Sequence, residues 1–227
     1  MKRSIITTAD GSKTIQIEEW NEQYHSIHGA IQEANHVFIK HGLLFTIENL
    51  VLQNSNLSIL EIGFGTGLNA FLTLLKGEEL NQNIHYTGIE AYPVKSEELQ
   101  QLNYVELLSA ESRRVAFESL HQSSWEIVQT VTPHFQLIKL RKQFQDIHDE
   151  NVFDLIYFDA FGPRVQPELW TEHIFKIMYK ALKPNGILVT YSAKGSVRRA
   201  MQSVGFLVEK LPGPPGKREM LRARKGS

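Results

Sequence analysis

The sequence predicts an α/β fold in which a mainly parallel, doubly wound β-sheet is covered by helices on both faces. Three observations support this prediction. From residue 57 onward, short apolar runs of strand length alternate with helical patterns. A glycine-rich turn joins the first of these runs to the helix that follows it, and acidic residues follow several of the later runs. Because ligands of parallel sheets sit at the carboxyl ends of the strands, these residues are expected to form a site there.

The first 56 residues are expected to form an N-terminal extension to this core. Two β-rich runs, Ile5–Thr8 and Thr14–Ile17, flank a turn centred on Asp10-Gly11 and predict a β-hairpin. From Gly29 to about Leu52, apolar residues recur at helical spacing, which predicts two helices interrupted near Gly42. These helices are expected to flank the core.

The core is expected to alternate strands and helices along the chain. Strands are predicted at Ser58–Ile62, Tyr86–Glu90, Leu137–Leu140, Phe153–Phe158 and Ile187–Tyr191. Helices are predicted at Leu68–Leu75, Val94–Leu102, Glu172–Leu182 and Ser196–Val204. Two further strands, Phe206–Leu211 and Glu219–Ala223, are predicted on either side of the Pro/Gly-rich turn Pro212–Gly216. The segment from Val105 to Phe135 is longer than a simple crossover needs.

Chain length and composition favour one domain. A chain of 227 residues with 42% hydrophobic content can bury one sizeable core. We therefore expect a single domain over 1–227, with the extension at 1–56 and the core at 57–227.

Several classes of protein are disfavoured by composition. No apolar run reaches the roughly 20 residues that a membrane helix needs, and the N-terminus lacks a signal-peptide pattern, so we expect no membrane contact and a cytoplasmic location. The chain has no cysteine, which excludes disulfides and thiolate metal ligands. Its histidines lack the spacing of a zinc motif, and no metal site is expected.

The run LEIGFGTGLN, from Leu60 to Asn69, is the most informative motif. Its glycines let a ligand approach the backbone closely, and Glu61 places a carboxylate at the same crevice. A dinucleotide fingerprint needs glycine or alanine at the sixth position counted from Gly63, where this chain has Leu68.

The pattern E-x-G-x-G-x-G instead resembles motif I of class I S-adenosylmethionine (SAM) methyltransferases. That resemblance implies a Rossmann-like core, with the two C-terminal strands as its antiparallel sixth and seventh strands, and SAM as cofactor. The expected cofactor contacts in this motif are Glu61, Gly63, Phe64, Gly65, Gly67 and Asn69.

Three further acids follow predicted strands. Glu90 ends the second strand, where a carboxylate can accept hydrogen bonds from both hydroxyls of a ribose. Asp146 follows the third strand and is a candidate for the adenine amino group, although a turn or helix-cap aspartate is an equal interpretation. Asp159 ends the fourth strand, beside Phe158 and Phe161, where it would face the transferable methyl group. Because burying an unpaired charge costs several kcal/mol, Asp159 either becomes neutral or meets a cationic or donor partner, which a substrate amine would supply.

The net charge of −1 conceals an asymmetry. Residues 194–227 contain nine Lys and Arg against two Glu, a formal charge of +7, which leaves −8 for the first 193 residues. Such a segment is either a solvated surface or a contact for nucleic-acid phosphates. The candidates for phosphate contact are Lys194, Arg198, Arg199, Lys217 and Arg218.

Four segments, spread in order over nearly the whole chain, resemble the MnmC-type tRNA wobble-uridine methyltransferases. They are Tyr24–Phe38, Leu60–Asn69, Tyr157–Trp170 and Pro215–Met220. The resemblance implies SAM-dependent methylation of the aminomethyl group on carbon 5 of the wobble uridine in the tRNA anticodon loop. Bifunctional members of the family add an FAD-dependent oxidase domain, but this sequence has no second glycine fingerprint, so the oxidase is not expected within it.

In that reaction the nitrogen of the aminomethyl group attacks the sulfonium methyl, and only the neutral amine can attack. Asp159 is the candidate to orient the amine or to take its proton. Tyr24 and Glu33 are candidates to line the uridine pocket, with ordinary packing as an equal interpretation.

Three alternative functions stay open at this point. The first is a SAM-dependent or decarboxylated-SAM-dependent transferase that acts on a small amine, as spermidine synthases do, and that would not need the basic C-terminal segment. The second is a dinucleotide-dependent oxidoreductase, which Leu68 disfavours. The third is a tRNA-binding module with an inactive pocket, which the retained acids and glycines disfavour.

Overall fold

A central sheet and a small N-terminal sheet organise the protein in the computed structural model, which describes residues 2–49 and 56–226. The end of the second predicted N-terminal helix, at Leu52, lies outside the described residues. Within them, the strands are β1 Arg3–Thr7, β2 Lys13–Ile17, β3 Glu22–Gln23, β4 Asn56–Ile62, β5 Asn83–Ile89, β6 Gln129–Thr132, β7 Phe135–Leu140, β8 Phe153–Phe158, β9 Leu182–Thr190, β10 Leu207–Pro212 and β11 Glu219–Arg224.

The helices pack around these sheets. They are α1 Ala30–Ala34, α2 Phe45–Asn49, α3 Leu68–Glu79, α4 Ser96–Leu99, α5 Tyr104–Leu107, α6 Arg114–Gln122, α7 Glu172–Ala181 and α8 Gly195–Ser203, with a π-helical stretch, Asn35–Leu44, between α1 and α2. None of the helices in the described part of the chain is long and apolar enough to span a bilayer.

The central sheet has the strand order β10-β11-β9-β8-β4-β5-β7-β6. β4 pairs in parallel with β5 and β8, and the parallel pairing continues to β7 on one side and β9 on the other. β11 pairs antiparallel with β9 and β10, as predicted for the C-terminal strands. The predicted fold class, a doubly wound and mainly parallel sheet with an antiparallel C-terminal edge, is confirmed.

Each face of the sheet has its own apolar core. One cluster joins the sheet to the N-terminal helical segment, α3 and α6, and the other joins it to α7 and α8. All six residues of β8 are buried, as expected for a central strand that is covered on both faces. The strand therefore ends inside the protein, and the residue after it, Asp159, is held at a fixed position.

The N-terminal extension forms the predicted hairpin, in which β1 and β2 pair antiparallel from Arg3↔Ile17 to Thr7↔Lys13. The prediction of an interruption near Gly42 is wrong. Helical structure runs without a break from Ala30 to Asn49, and its middle is π-helical. A Cβ at Gly42 would lie 3.0 Å from Val189 Cγ2 and 3.1 Å from Tyr157 Cε1, so this glycine permits close packing of the helix on the sheet.

Strand β6 is a second difference from the sequence prediction, which assigned no strand there. Its residues, QTVT, lie at the edge of the sheet and are half-buried or exposed, so they lack the apolar signal of the central strands. Pairing with β7 creates this strand.

We expect Gly42→Val to lower the free energy of unfolding by about 1–3 kcal/mol, because the added methyl groups would overlap the β8 and β9 side chains. Lys40→Val, an exposed position in the same π-helical stretch, is the control for β-branching and should change stability by less than about 0.7 kcal/mol. Chemical denaturation of both variants measures the difference. Equal losses would show that close packing at Gly42 is unimportant.

Candidate active site

A cavity of about 970 Å³ opens at the carboxyl edge of the parallel strands. Residues at the ends of β4, β5, β8 and β9 contribute to its wall: Glu61, Glu90, Asp159 and Tyr191. The N-terminal extension contributes Trp20, Tyr24 and His25. The site is therefore built jointly by the core and the extension.

The glycine-rich turn between β4 and α3 forms one side of the cavity. Gly63 has a φ of 89°, and a Cβ there would lie 2.8 Å from the Asp159 carbonyl oxygen. Gly65 has a φ of 48°, and a Cβ there would lie 3.2 Å from Tyr24 Cδ1. Both positions favour glycine, because the left-handed backbone and the close neighbours disfavour a side chain. The Gly63 and Phe64 amides each donate to the Ile89 carbonyl at 3.0 Å, which fixes the turn against β5.

Glu90 follows β5 and borders the cavity beside this turn. Its Oε2 accepts a hydrogen bond from the Gly65 amide at 3.0 Å, and its Oε1 accepts one from the Tyr92 amide at 2.9 Å. The carboxylate is thus held in place by the backbone, and each oxygen retains a lone pair for a ligand hydroxyl.

Two carboxyl groups meet at the centre of the site, and one amide joins them. Asn69 Nδ2, in the first turn of α3, donates to Glu61 Oε1 at 2.9 Å and to Asp159 Oδ2 at 2.8 Å. Glu61 Oε2 and Asn69 Oδ1 are buried and accept no hydrogen bond of normal geometry from the residues that the structure describes. Glu61 and Asn69 are almost fully buried, so a ligand donor reaches the cluster through Asp159, which is half-buried in the cavity wall.

Both carboxyl groups have a raised pKa. Burial is the main cause for Glu61, and the charge of Asp159 adds to it, so the pKa of Glu61 lies well above its usual value of 4.5. Burial and the charge of Glu33 raise the pKa of Asp159 from 3.8 to about 7, against the opposing effects of Asn69 and Lys217. Asp159 therefore changes charge near neutral pH, where a proton acceptor is useful.

Aromatic rings line the cavity beside the glycine turn, where the Tyr24 ring lies next to Gly65. Phe161 lies edge-on to Tyr24, with ring centroids 4.9 Å apart, and to Trp20, at 5.6 Å. The Tyr191 hydroxyl donates to the Ala160 carbonyl at 2.8 Å, which ties the end of β9 to the loop after β8. These rings can hold a planar ligand by stacking. The sequence reasoning did not select Trp20 or Tyr191, and for Tyr191 the available signal was an aromatic residue at a predicted strand end.

His25 links the N-terminal extension to the glycine turn. Its Nδ1 lies 2.9 Å from Thr14 Oγ1, and its Nε2 lies 3.3 Å from Thr66 Oγ1. Thr66 Oγ1 also accepts from the Tyr104 hydroxyl at 3.2 Å. Burial lowers the pKa of His25 to about 4, so the imidazole is neutral at physiological pH. The sequence alone gave His25 no role beyond that of an ordinary histidine.

The structure brings together most of the predicted cofactor residues. Glu61, Gly63, Phe64, Gly65, Asn69, Glu90 and Asp159 all border the cavity. Gly67 does not, because it packs against the His121 ring. Asp146 is exposed and does not line the cavity either, whereas its neighbours Gln143, Phe144 and Gln145 do. An adenine contact by Asp146 thus gains no support from its position.

The predicted substrate residues fall into three groups. Tyr24 lines the cavity, but Glu33 lies outside its wall and forms an ion pair with Lys217. Lys217 is thus directed inward, away from any phosphate. Lys194, Arg199 and Arg218 are exposed and form no ion pair with the described residues, and Arg198 is half-buried.

Comparison with known proteins identifies the family to which the chain is similar. A family profile described as "S-adenosyl-L-methionine-dependent methyltransferase" matches residues 113–226, half of the chain, which include Asp159 but not the glycine turn. A "tRNA 5-methylaminomethyl-2-thiouridine biosynthesis bifunctional protein MnmC" from Hydrogenovibrio crunogenus is 30% identical over 216 residues, which cover 90% of this chain and 32% of that protein. A second protein of that name, from Azoarcus sp., is 29% identical over 220 residues, or 90% of this chain and 33% of that protein. The chain thus spans about a third of the length of these curated relatives.

Solved structures show the same fold. The structure of MNMC2 from Aquifex aeolicus superposes with a TM-score of 0.79 and 26% identity, covering 100% of this chain and 71% of that one. A spermidine synthase from Thermotoga maritima superposes with a TM-score of 0.57 and 14% identity, covering 99% and 69% of the two chains. The second likeness concerns the fold alone.

The raised pKa of Asp159 predicts that this residue destabilises the ligand-free protein at alkaline pH. The folded state holds the proton more tightly than the unfolded state does, so the stability contribution of Asp159 is fully present below about pH 4 and is lost as the pH rises through 7. Asp159→Asn retains an acceptor for Asn69 and cannot ionise. We expect it to exceed the parent in unfolding free energy by about 1–2 kcal/mol at pH 8, because the open cavity weakens the full effect, and by much less at pH 5.

Denaturant titrations at pH 5 and pH 8 measure this difference. Asp146→Asn is the control, since Asp146 is exposed, and its effect should be under about 0.5 kcal/mol at both pH values. A stability gain from Asp159→Asn that is the same at both pH values would contradict the assignment.

Proposed function

The chain belongs to the S-adenosyl-L-methionine-dependent methyltransferase family, and from this premise we propose that it methylates the aminomethyl nitrogen on carbon 5 of a tRNA wobble uridine. The observation that carries the proposal is the position of Asp159. It lies at the carboxyl end of a buried strand, in the wall of a cavity that also contains the glycine turn and an aromatic wall. The relatives named for this tRNA modification align over 90% of the chain.

The residues of the cavity fit SAM. The carboxyl cluster of Glu61 and Asp159 suits the ammonium of its methionine part, and Glu90 suits its ribose hydroxyls. Gly63 and Gly65 allow the glycine turn to pack closely against the Asp159 carbonyl and the Tyr24 ring, which shapes this side of the cavity. When bound, SAM supplies an electrophilic methyl group, whose bond to sulfur breaks, leaving its electron pair on sulfur, as the bond to the attacking nitrogen forms.

Asp159 prepares the acceptor nitrogen. A primary aliphatic amine has a reference pKa near ~10, so it arrives mostly protonated and must lose a proton before its lone pair can react. With a pKa of about 7, Asp159 is partly ionised at physiological pH, and the ionised form can accept a hydrogen bond from the amine and then a proton. The Asn69 amide fixes the carboxylate direction, which favours an in-line approach to the methyl group.

The remaining cavity surfaces hold the nucleoside. Trp20, Tyr24 and Phe161 form an aromatic wall on which a flipped-out pyrimidine can stack. Single-stranded anticodon-loop bases can enter such a pocket, whereas paired bases cannot.

Three exposed cations and the half-buried Arg198, near the same edge, can contact tRNA phosphates. Lys194 and Arg199 lie at the start of α8, shortly after Tyr191, and Arg198 lies between them in the helix. Arg218 precedes β11, whose Leu221 pairs with Thr190 at the end of β9, so Arg218 projects beyond the carboxyl edge of the sheet. These four residues are our proposal for the phosphate contacts.

Asp159→Ala is expected to reduce methyl transfer by at least about 100-fold while SAM binding changes little. The assay combines labelled SAM with tRNA that carries the 5-aminomethyl group, followed by nucleoside analysis, and calorimetry measures SAM binding. Asp146→Ala is the matched control and should retain activity, because Asp146 lies outside the cavity.

Three outcomes would count against this assignment. Full activity in Asp159→Ala removes Asp159 from the reaction. An unlabelled wobble uridine with the parent enzyme contradicts the proposed function, and label on a small amine such as a polyamine indicates the spermidine-synthase-like alternative.

Arg218→Ala is expected to weaken tRNA binding most at low salt, because the lost phosphate contact would have released a counterion. The slope of log K against log salt should become less negative by about 0.9 for one lost contact. Lys180→Ala is the control, since Lys180 lies at the amino edge of the sheet, where its carbonyl accepts from the Asn151 amide ahead of β8. An Arg218→Ala loss that is independent of salt would contradict a phosphate contact.

A further inference from the structure

The hairpin tip formed by residues 213–218, between β10 and β11, packs against the N-terminal extension. Gly216 has a φ of 82°, and a Cβ there would lie 2.0 Å from the His28 ring. At the start of the tip, the Pro212 carbonyl lies 2.8 Å from His36 Nε2. These contacts place the tip beside α1, although nearly 180 residues separate the two segments in sequence.

The tip carries Lys217 into the interior behind the active-site wall. The Lys217 ammonium forms an ion pair with the Glu33 carboxylate, whose Oε1 also accepts from the Ser26 amide at 3.2 Å. Lys217 Nζ also lies 3.8 Å from the centroid of the Tyr191 ring. The side chains of Lys217 and Glu33 are 30% and 9% exposed, so water screens the pair only partly.

Tyr191 connects this ion pair to the reacting groups. Its ring borders the cavity, and its hydroxyl donates to the carbonyl of Ala160, the residue after Asp159. Neither Lys217 nor Glu33 lines the cavity itself. Any effect of the pair on the reaction must therefore act through the space behind Tyr191.

We propose that Lys217 and Glu33 form a positioning pair whose opposite charges set the protonation of Asp159 from behind Tyr191, without contacting the substrate. This inference rests on the proposed function for its catalytic consequence. Its electrostatic part concerns only groups of this chain and can be measured without a substrate.

The charges around Asp159 determine the sign of each effect. Glu61 and Asn69 face it from β4 and α3. Glu33 and Lys217 act on it from the extension and the hairpin tip. The other titratable groups nearby are His25 of the extension, Tyr86 and Glu90 of β5 and its end, and Tyr191 after β9. Glu33 raises the pKa of Asp159, and Lys217 lowers it. Removing the charge of Glu33 should therefore lower the pKa of Asp159, and removing the charge of Lys217 should raise it.

Two conservative variants separate these effects. Lys217→Met keeps most of the aliphatic chain over Tyr191 but removes the cation, so the pKa of Asp159 and the acid limb of kcat/KM should shift to higher pH. Glu33→Gln keeps an acceptor for the Ser26 amide but removes the anion and leaves Lys217 unpaired. The pKa of Asp159 should therefore fall, and the acid limb of kcat/KM should shift to lower pH. We expect shifts on the order of half a pH unit in each direction, and a smaller shift in the double variant.

The experiment has two readouts. Carbon-13 NMR titration of the Asp159 carboxyl in the ligand-free protein, assigned with Asp159→Asn, tests the electrostatic part. The pH dependence of kcat/KM for methyl transfer to tRNA tests the catalytic part. Lys210→Met is the matched control, because Lys210 is an exposed lysine on β10 that pairs with Glu219, and neither readout should move.

Shifts of the same sign in the two single variants, or losses of activity with no displacement of the pH profile, would overturn the proposal and leave the pair a purely structural role. If the parent protein fails to methylate tRNA, the proposed function fails, while the NMR titration still decides whether Lys217 and Glu33 control Asp159. The two failures are therefore distinguishable.

Discussion

The hydrogen bonds from one amide to two carboxyl groups are the interaction on which the site depends. Asn69 donates to both Glu61 and Asp159, which arrive from neighbouring parallel strands, β4 and β8. Burial raises the pKa of both groups, and a neighbouring carboxylate adds to the shift, which is Asp159 for Glu61 and Glu33 for Asp159. The donor offsets part of the cost and keeps Asp159 ionisable near neutral pH. The site therefore places a proton acceptor beside a second carboxyl group, an arrangement that suits the proposed methylation of an amine.

The scaffold supports this cluster in two ways. Parallel pairing of β4, β5, β8 and β9 brings four strand ends to one edge, and Asp159 follows the fully buried strand β8 in the wall of the cavity. The N-terminal extension then closes the edge. Through His25 it contacts the glycine turn, and through Glu33 it holds Lys217 of the C-terminal hairpin. The extension therefore contributes to the wall of the candidate site.

Local sequence signals predicted the core elements well, because each depends on residues adjacent in sequence. The apolar run before Asp159 is a buried strand whatever its neighbours are, and the glycine turn needs positive φ values that few other residues adopt. Local sequence signals gave wrong or missing predictions where tertiary packing determines the secondary structure. Gly42 looked like a helix interruption, but it allows the helix to approach β8 and β9, and the polar strand β6 exists only because β7 offers it a hydrogen-bonding edge.

The sequence by itself determined the fold class, the strand ends that carry Glu61, Glu90 and Asp159, and the likeness to SAM-dependent methyltransferases, since these follow from periodicity and from short motifs. Only the tertiary structure decided which charges meet. Lys217 belongs to the basic C-terminal segment and was expected to contact phosphate, yet folding turns it inward to Glu33, while Arg218 beside it stays exposed. The physical reason is that the energy of a charge depends on its distance to other charges and to water, and the chain fixes those distances only when distant segments pack together.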